Sequence, residues 1–253
     1  AHLGRSGLKQ VRRTVGGMAD KIDAMNWDDA YRGEAEFDGP PPWNIGEPQP
    51  ELAALIGAGK VRSDVLDAGC GHAELSLALA ADGYTVVGIE LTPTAVAAAT
   101  EAAQERGLPN ATFVQDDITT FTGFDARFNT IIDSTLFHSL PVAARDGYQQ
   151  SVYRAAAPGA SYYVLVFAQG AFPAELETTP NAVTEDELRA AVGKYWEIDD
   201  VRPAFIHAHP MPMPMTPEPS SMSGAPFQMP DHGSDDKGRM KLPAFLLSAH
   251  KPS

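Results

Sequence analysis

The chain has 253 residues, 43% of them hydrophobic and 21% charged, which is enough apolar material for one large core in an ordinary globular protein. Its formal net charge of −14 repels phosphate backbones and so disfavours sequence-independent binding to DNA or RNA. The single cysteine, Cys70, excludes an internal disulfide and suits a reducing cytoplasm, and no apolar run approaches the roughly 20 residues of a membrane helix.

Residues 1–22 read as a flexible leader: Arg5, Lys9, Arg12 and Arg13 precede Gly16 and Gly17, without the apolar core of a signal peptide. Residues 23–253 are expected to form a single domain. Trp27 to Tyr31 predicts a short helix. The run Gly39 to Gly46 contains Pro40, Pro41 and Pro42, which lack amide donors and fix φ, so it is irregular. Pro50 then opens a helix with Leu52, Leu55 and Ile56 on one face.

From there the pattern alternates. Strands are predicted over 65–68, 85–91, 111–115, 129–133 and 161–168. Helices are predicted over 74–81, 93–106, 142–157 (stopped by Pro158-Gly159) and 185–192, the last capped by Thr184. Two further strands lie near 196–206 and 244–250. Strands alternating with helices imply a doubly wound α/β fold, a mostly parallel sheet covered on both faces. The segment His207 to Lys241, rich in proline, methionine, glycine and serine, separates the last two strands. It reads as a lid insertion whose methionines form a pliable apolar wall.

The strongest signal is Val65-Leu66-Asp67-Ala68-Gly69-Cys70-Gly71-His72-Ala73-Glu74, a buried strand that ends in a glycine turn and runs straight into a helix. Gly69 and Gly71 allow a ligand close to the backbone, and the first helix amides face it. The third glycine of the dinucleotide fingerprint is absent, and Glu74 would repel a pyrophosphate. The second strand ends in Glu90, followed by Leu91, about 20 residues beyond the glycines, where a carboxylate reaches ribose hydroxyls. The third ends in Asp116 and Asp117, either of which can accept from an adenine amine, with Ile118 placed to pack on the ring. The fourth ends in Asp133.

These four stretches resemble, in order and interval, the motifs of class I S-adenosylmethionine (SAM)-dependent methyltransferases. The resemblance implies a Rossmann-like seven-stranded sheet with an antiparallel last strand, and SAM as cofactor. It carries cofactor roles to Asp67, Gly69, Gly71, Glu90, Leu91, Asp117, Ile118 and Asp133, with Asp116 the fallback for Asp117. The run Pro42-Trp43-Asn44-Ile45-Gly46-Glu47-Pro48-Gln49-Pro50 is similar to the N-terminal cover of thiopurine-methyltransferase-like enzymes, which would bring Trp43 near the methionine part of SAM. More narrowly, the chain resembles mycobacterial methyltransferases of heterocyclic toxins.

Methyl transfer from SAM mainly requires alignment of the nucleophile and exclusion of water, with a base where the acceptor is a hydroxyl. After the fourth strand comes Ser134-Thr135-Leu136-Phe137-His138-Ser139-Leu140. His138 is expected to be the general base, with Thr135 on the same helical face positioning it or the acceptor. Trp27, Tyr31, Phe137, Phe167 and Phe172 are expected to form an aromatic acceptor pocket. His207, His209 and His232 lack a completing ligand pattern, so no metal is expected.

The expected reaction is O-methylation of a small aromatic heterocycle or phenol-like compound, for example a hydroxyquinolone-type toxin. N- or S-methylation and a nicotinamide-dependent oxidoreductase are the alternatives. The expected partners are a small aromatic substrate, no nucleic acid and no membrane, in a cytoplasmic monomer or weak homodimer.

Overall fold

A computed structural model describes residues 41–174, 179–210 and 231–253. Trp27, Tyr31 and most of the lid segment lie outside them. The element order is α1 (Pro50–Gly57), β1 (Val65–Ala68), α2 (Glu74–Ala81), β2 (Val86–Glu90), α3 (Pro93–Glu105), β3 (Ala111–Gln115), β4 (Phe128–Ser134), α4 (Arg145–Ala155), β5 (Ala156–Phe167), α5 (Glu185–Gly193), β6 (Glu197–Ala208) and β7 (Met240–His250). Short 3₁₀ turns at Phe137–Ser139 and Val142–Ala144 lead into α4.

The seven strands form one sheet in the order β3-β2-β1-β4-β5-β7-β6. β1 to β5 run parallel, and β7 lies antiparallel between β5 and β6. The period of two is plain on β5. Tyr162, Val164 and Val166 enter one apolar layer with Phe128, Ile131, Tyr148 and Leu247. Tyr163, Leu165 and Phe167 enter the opposite layer with Leu52, Leu79, Ile132 and Leu246. Full burial of each such side chain contributes about 1.5–3 kcal/mol, so the two layers hold the sheet rigid at its centre.

Two sequence expectations need correction. The helix expected to run to residue 157 ends at Ala155, and β5 begins at once. The pairing jumps from Phe128–Ala156 to Thr130–Ser161, so Pro158 and Gly159 are absorbed in a bulge of the strand and do not form a loop. The last two strands are also longer than expected. His207 and Ala208 finish β6, and Met240 and Lys241 begin β7, so the segment expected to form a lid is shortened from both ends. Pairing with a neighbour extends strands that weak local alternation does not mark. Among the described residues no helix is long and apolar enough to cross a membrane.

The sequential strands β1, β2 and β3 build the sheet in one direction, and β4 returns to the other side of β1. The carboxyl ends of β1 and β4 therefore flank the topological switch point, where open α/β sheets leave a crevice for a ligand.

Candidate active site

The turn between β1 and α2 is left-handed at three places: Gly69 (φ +65°), Gly71 (φ +53°) and Ala73 (φ +65°). A side chain at Gly69 would lie 2.5 Å from Leu136 Cδ1, so glycine is required both by its φ and by the β4 loop packed over it. Gly88 on β2 makes room in the same way, since a Cβ there would lie 2.7 Å from Cys70 Sγ. Burial pushes the Cys70 thiol well above its usual range, which leaves it an unreactive filler of the turn.

Two buried acids brace this turn. Glu90 accepts from the Gly71 amide at 2.9 Å and, through its other oxygen, from the Thr92 amide and hydroxyl at 3.2 and 3.3 Å. Asp67 accepts from Ser76 Oγ at 2.6 Å, and burial raises its pKa to about 6. Beyond Glu90, Leu91 is 59% exposed, an apolar side chain held out at the carboxyl edge. Asp117 accepts from the amide and hydroxyl of Thr119, while Asp116 accepts from the Asp117 amide. Ile118 is buried in the core beneath them.

A solvent-open groove runs over the turn. Its lining includes Asp67, Gly69 and Gly71 from the turn, Ser134 and Thr135 from the end of β4, and Trp43 and Gln49 from the N-terminal segment. The Trp43 wall is held in place from a distance. The buried Gln49 side chain donates to the Trp43 and His207 carbonyls at 2.8 and 2.9 Å and accepts from the His207 amide at 2.8 Å. Glu47 accepts from Arg239 and Lys237, and Arg239 also donates to Asp235, which pairs with His207 Nδ1 at 2.7 Å. Burial works against the charge on Asp235, but the donors around it hold its pKa well below the usual carboxylate range. No local sequence pattern signals this network, because its members are brought together only when β6 and β7 pair.

The loop after β4 departs from expectation at four residues. Asp133 does not face the groove. It is fully buried, accepting from the Leu136 and Phe137 amides and from Tyr148 Oη at 2.7 Å, with burial raising its pKa to about 7. It therefore shapes the loop and does not bind a cofactor directly. Thr135 is not helical: it sits at φ +69°, rare for a β-branched residue, and lines the groove without sharing a helical face with His138. Phe137 turns into the core, against Tyr148 and beneath the Arg145 guanidinium, and so leaves the expected acceptor wall.

His138 is fully buried and stacks on Phe167 with ring centroids 4.3 Å apart. Its Nδ1 accepts from the Phe167 amide at 3.2 Å, so the neutral ring carries its proton on Nε2. Burial, and then the nearby Arg145 charge, lower its pKa to about 3. With its lone pair engaged and its ring this weakly basic, His138 is not the proton acceptor expected of it. Of the aromatic rings that cluster here, Trp43 lines the groove, and His138, Phe167 and Phe172 pack behind it. Trp43 sets its edge against both His138 and Phe167, and Phe172 packs edge-on against Phe167.

The methyltransferase domain family matches residues 65–159. Over 236 residues the chain is 48% identical to the 2-heptyl-1-hydroxyquinolin-4(1H)-one methyltransferase of Mycobacteroides abscessus, covering 92% of this chain and all of that one. A structure solved for the conversion of a disulfide bond into a thioacetal group during echinomycin biosynthesis is 30% identical, with a TM-score of 0.71 over 89% of this chain and 90% of that one. The 1,6-didemethyltoxoflavin-N1-methyltransferase of Burkholderia thailandensis, solved with its heterocycle and S-adenosylhomocysteine, is 19% identical. It shares the fold at a TM-score of 0.53, over 81% of this chain and 77% of that one.

Proposed function

The chain belongs to the SAM-dependent small-molecule methyltransferases, and from that premise we propose that it methylates an oxygen of a small aromatic heterocycle of the hydroxyquinolone type. The observation that supports the acceptor class is Trp43, which lines the groove beside the glycine turn and is backed by His138 and Phe167, an apolar aromatic face that suits a flat ring. The full-length likeness to an enzyme named for a hydroxyquinolone supports the same class.

The lining of the groove supports a SAM site whose methionine end lies over the glycine turn. The amides of the Gly69–Ala73 turn and the start of α2 suit its carboxylate, and Asp67 its ammonium group. At the carboxyl edge beyond the groove, Glu90 is assigned to the ribose hydroxyls, Leu91 to a face of the adenine, and Asp117 or Asp116 to the adenine amine. Trp43 closes the methionine end. SAM supplies an activated methyl group and its own leaving group. The protein aligns the acceptor and keeps water out.

Side-by-side calorimetric titration with SAM, S-adenosylhomocysteine and NADH tests the first half of this reading. Micromolar binding of the first two and none of the third is expected; binding of NADH alone overturns it. Incubation with SAM and 1-hydroxyquinolin-4(1H)-one, followed by mass spectrometry, tests the second half. A product heavier by one methyl group on oxygen is expected, and methylation only of amine or thiol acceptors overturns it.

A further inference from the structure

His138 combines three features that together define how an acceptor oxygen is recognised. Its Nδ1 lone pair is occupied by the amide of Phe167, a residue of the rigid central strand β5. The ring proton therefore resides on Nε2, and that nitrogen is fully buried with no hydrogen-bond partner among the described residues. A buried donor left unsatisfied costs on the order of 1–3 kcal/mol, so an arrangement that keeps one points to a ligand that completes it. The ring lies one residue behind the groove, since Trp43, which lines the groove, sets its edge against it.

The charges around this donor favour a negative partner. Arg145, from α4, is the charged group that acts on His138, and it stacks over Phe137 in the same loop. Its Nη1 lies 3.8 Å from Glu187 on α5, too long and too exposed a contact to cancel it. Asn181 fixes the loop from outside by donating its backbone amide to the His138 carbonyl and its side chain to the Leu140 carbonyl. Trp43 and Phe167 contribute no titratable group.

We infer that His138 acts as a fixed Nε2–H donor to an acceptor oxygen that is already ionised, so that the enzyme selects hydroxyl compounds acidic enough to be oxyanions near neutral pH. This rests on the O-methylation reading above and narrows its substrate class. The acceptor oxyanion forms the new oxygen–carbon bond as the carbon–sulfur bond breaks, and that electron pair stays on sulfur. The negative and positive charges cancel, and no proton remains to be removed. An N-hydroxy heterocycle meets the requirement; a simple phenol meets it only at high pH.

The test combines spectroscopy with two acceptors of different acidity. In protein labelled with ¹⁵N-histidine, His138 should show a bare Nδ1 and a protonated Nε2 across neutral pH. The Nε2 proton should shift when 1-hydroxyquinolin-4(1H)-one is added with S-adenosylhomocysteine. A bare Nε2, or an imidazolium on acceptor binding, overturns the inference. The midpoint of kcat/KM against pH should follow the ionisation of each acceptor, and so move when the N-hydroxyquinolone is replaced by phenol. One shared midpoint for both acceptors overturns the donor role and leaves O-methylation standing. Methylation of neither by protein that binds SAM overturns both readings.

His138→Ala should raise KM for the N-hydroxyquinolone by about tenfold to a hundredfold, the worth of one hydrogen bond to a charged group. His138→Gln, which keeps a donor, should recover part of it. Unchanged SAM binding by both variants establishes that the site is folded, and an unchanged KM in such folded His138→Ala protein overturns the inference.

Discussion

Gly69 and Asp133 show how single residues act on the groove without touching the acceptor. At Gly69 a substitution to alanine must accept a left-handed φ, a cost of about 1–2 kcal/mol, and must also push Leu136 aside. Gly69→Ala should therefore lower the urea-unfolding free energy by at least that amount and weaken S-adenosylhomocysteine binding, read by calorimetry. Asp133 governs a pH dependence. Burial outweighs its hydrogen bonds from Tyr148, Leu136 and Phe137 and raises its pKa from 3.8 to about 7. Between these values the folded state holds the proton and the unfolded state releases it. The contribution of this group to stability accordingly falls as pH rises from about 4 to about 7 and stays lost above. Asp67 acts in the same direction up to about 6. In Asp133→Asn the loss attached to residue 133 disappears, so the variant should compare more favourably with the parent at pH 8 than at pH 5. Parallel unfolding free energies across that range would refute this account. These roles were only partly legible. The sequence marks Asp133 as an acid at a strand end, but whether it faces a ligand or the Leu136 and Phe137 amides depends on a turn with no sequence signature.

At the scale of elements, the site is a contract between distant pieces of chain. The glycine turn and its acids were readable, because a β-strand, a turn and a helix N-terminus are contiguous in sequence and each follows from local periodicity and backbone freedom. The Trp43 wall was readable only through resemblance, and its support was not readable at all. Gln49 meets His207 across 158 positions, and Arg239 meets Glu47 across 192. Arg239→Ala should raise the Kd for S-adenosylhomocysteine several-fold, because Glu47 and Asp235 both lose a donor and the segment bearing Trp43 loosens. In a cycle with Glu47→Gln the two effects should fall short of additivity, which calorimetry of the four proteins would reveal. Strictly additive losses would mean that the two side chains act separately. The end of α4 was misjudged because Pro158-Gly159 is ordinarily a stop signal, and nothing local reveals that Phe128 on β4 recruits Ala156 first.

For the molecule as a whole, alternation implied a mostly parallel sheet and family resemblance an antiparallel last strand, while the strand order and the position of β7 between β5 and β6 were not legible in the sequence. Ligand linkage gives a global test. S-adenosylhomocysteine at about a hundred times its Kd should add about 2.7 kcal/mol to stability, a rise of roughly 5–10 °C in Tm, with no effect of NADH. The placement of β7 also bears on how the protein is made. Asp235 and Arg239, which pin the cofactor wall, immediately precede Met240, where β7 begins, and β7 must slot between two strands already synthesised. A nascent chain can complete its glycine turn long before this, yet the network that holds the Trp43 segment forms only once Asp235 and Arg239 have emerged. A polypeptide interrupted after β6 already carries the glycine turn and its acids, and is expected to hold the methyl donor more weakly for want of the contacts that brace Trp43.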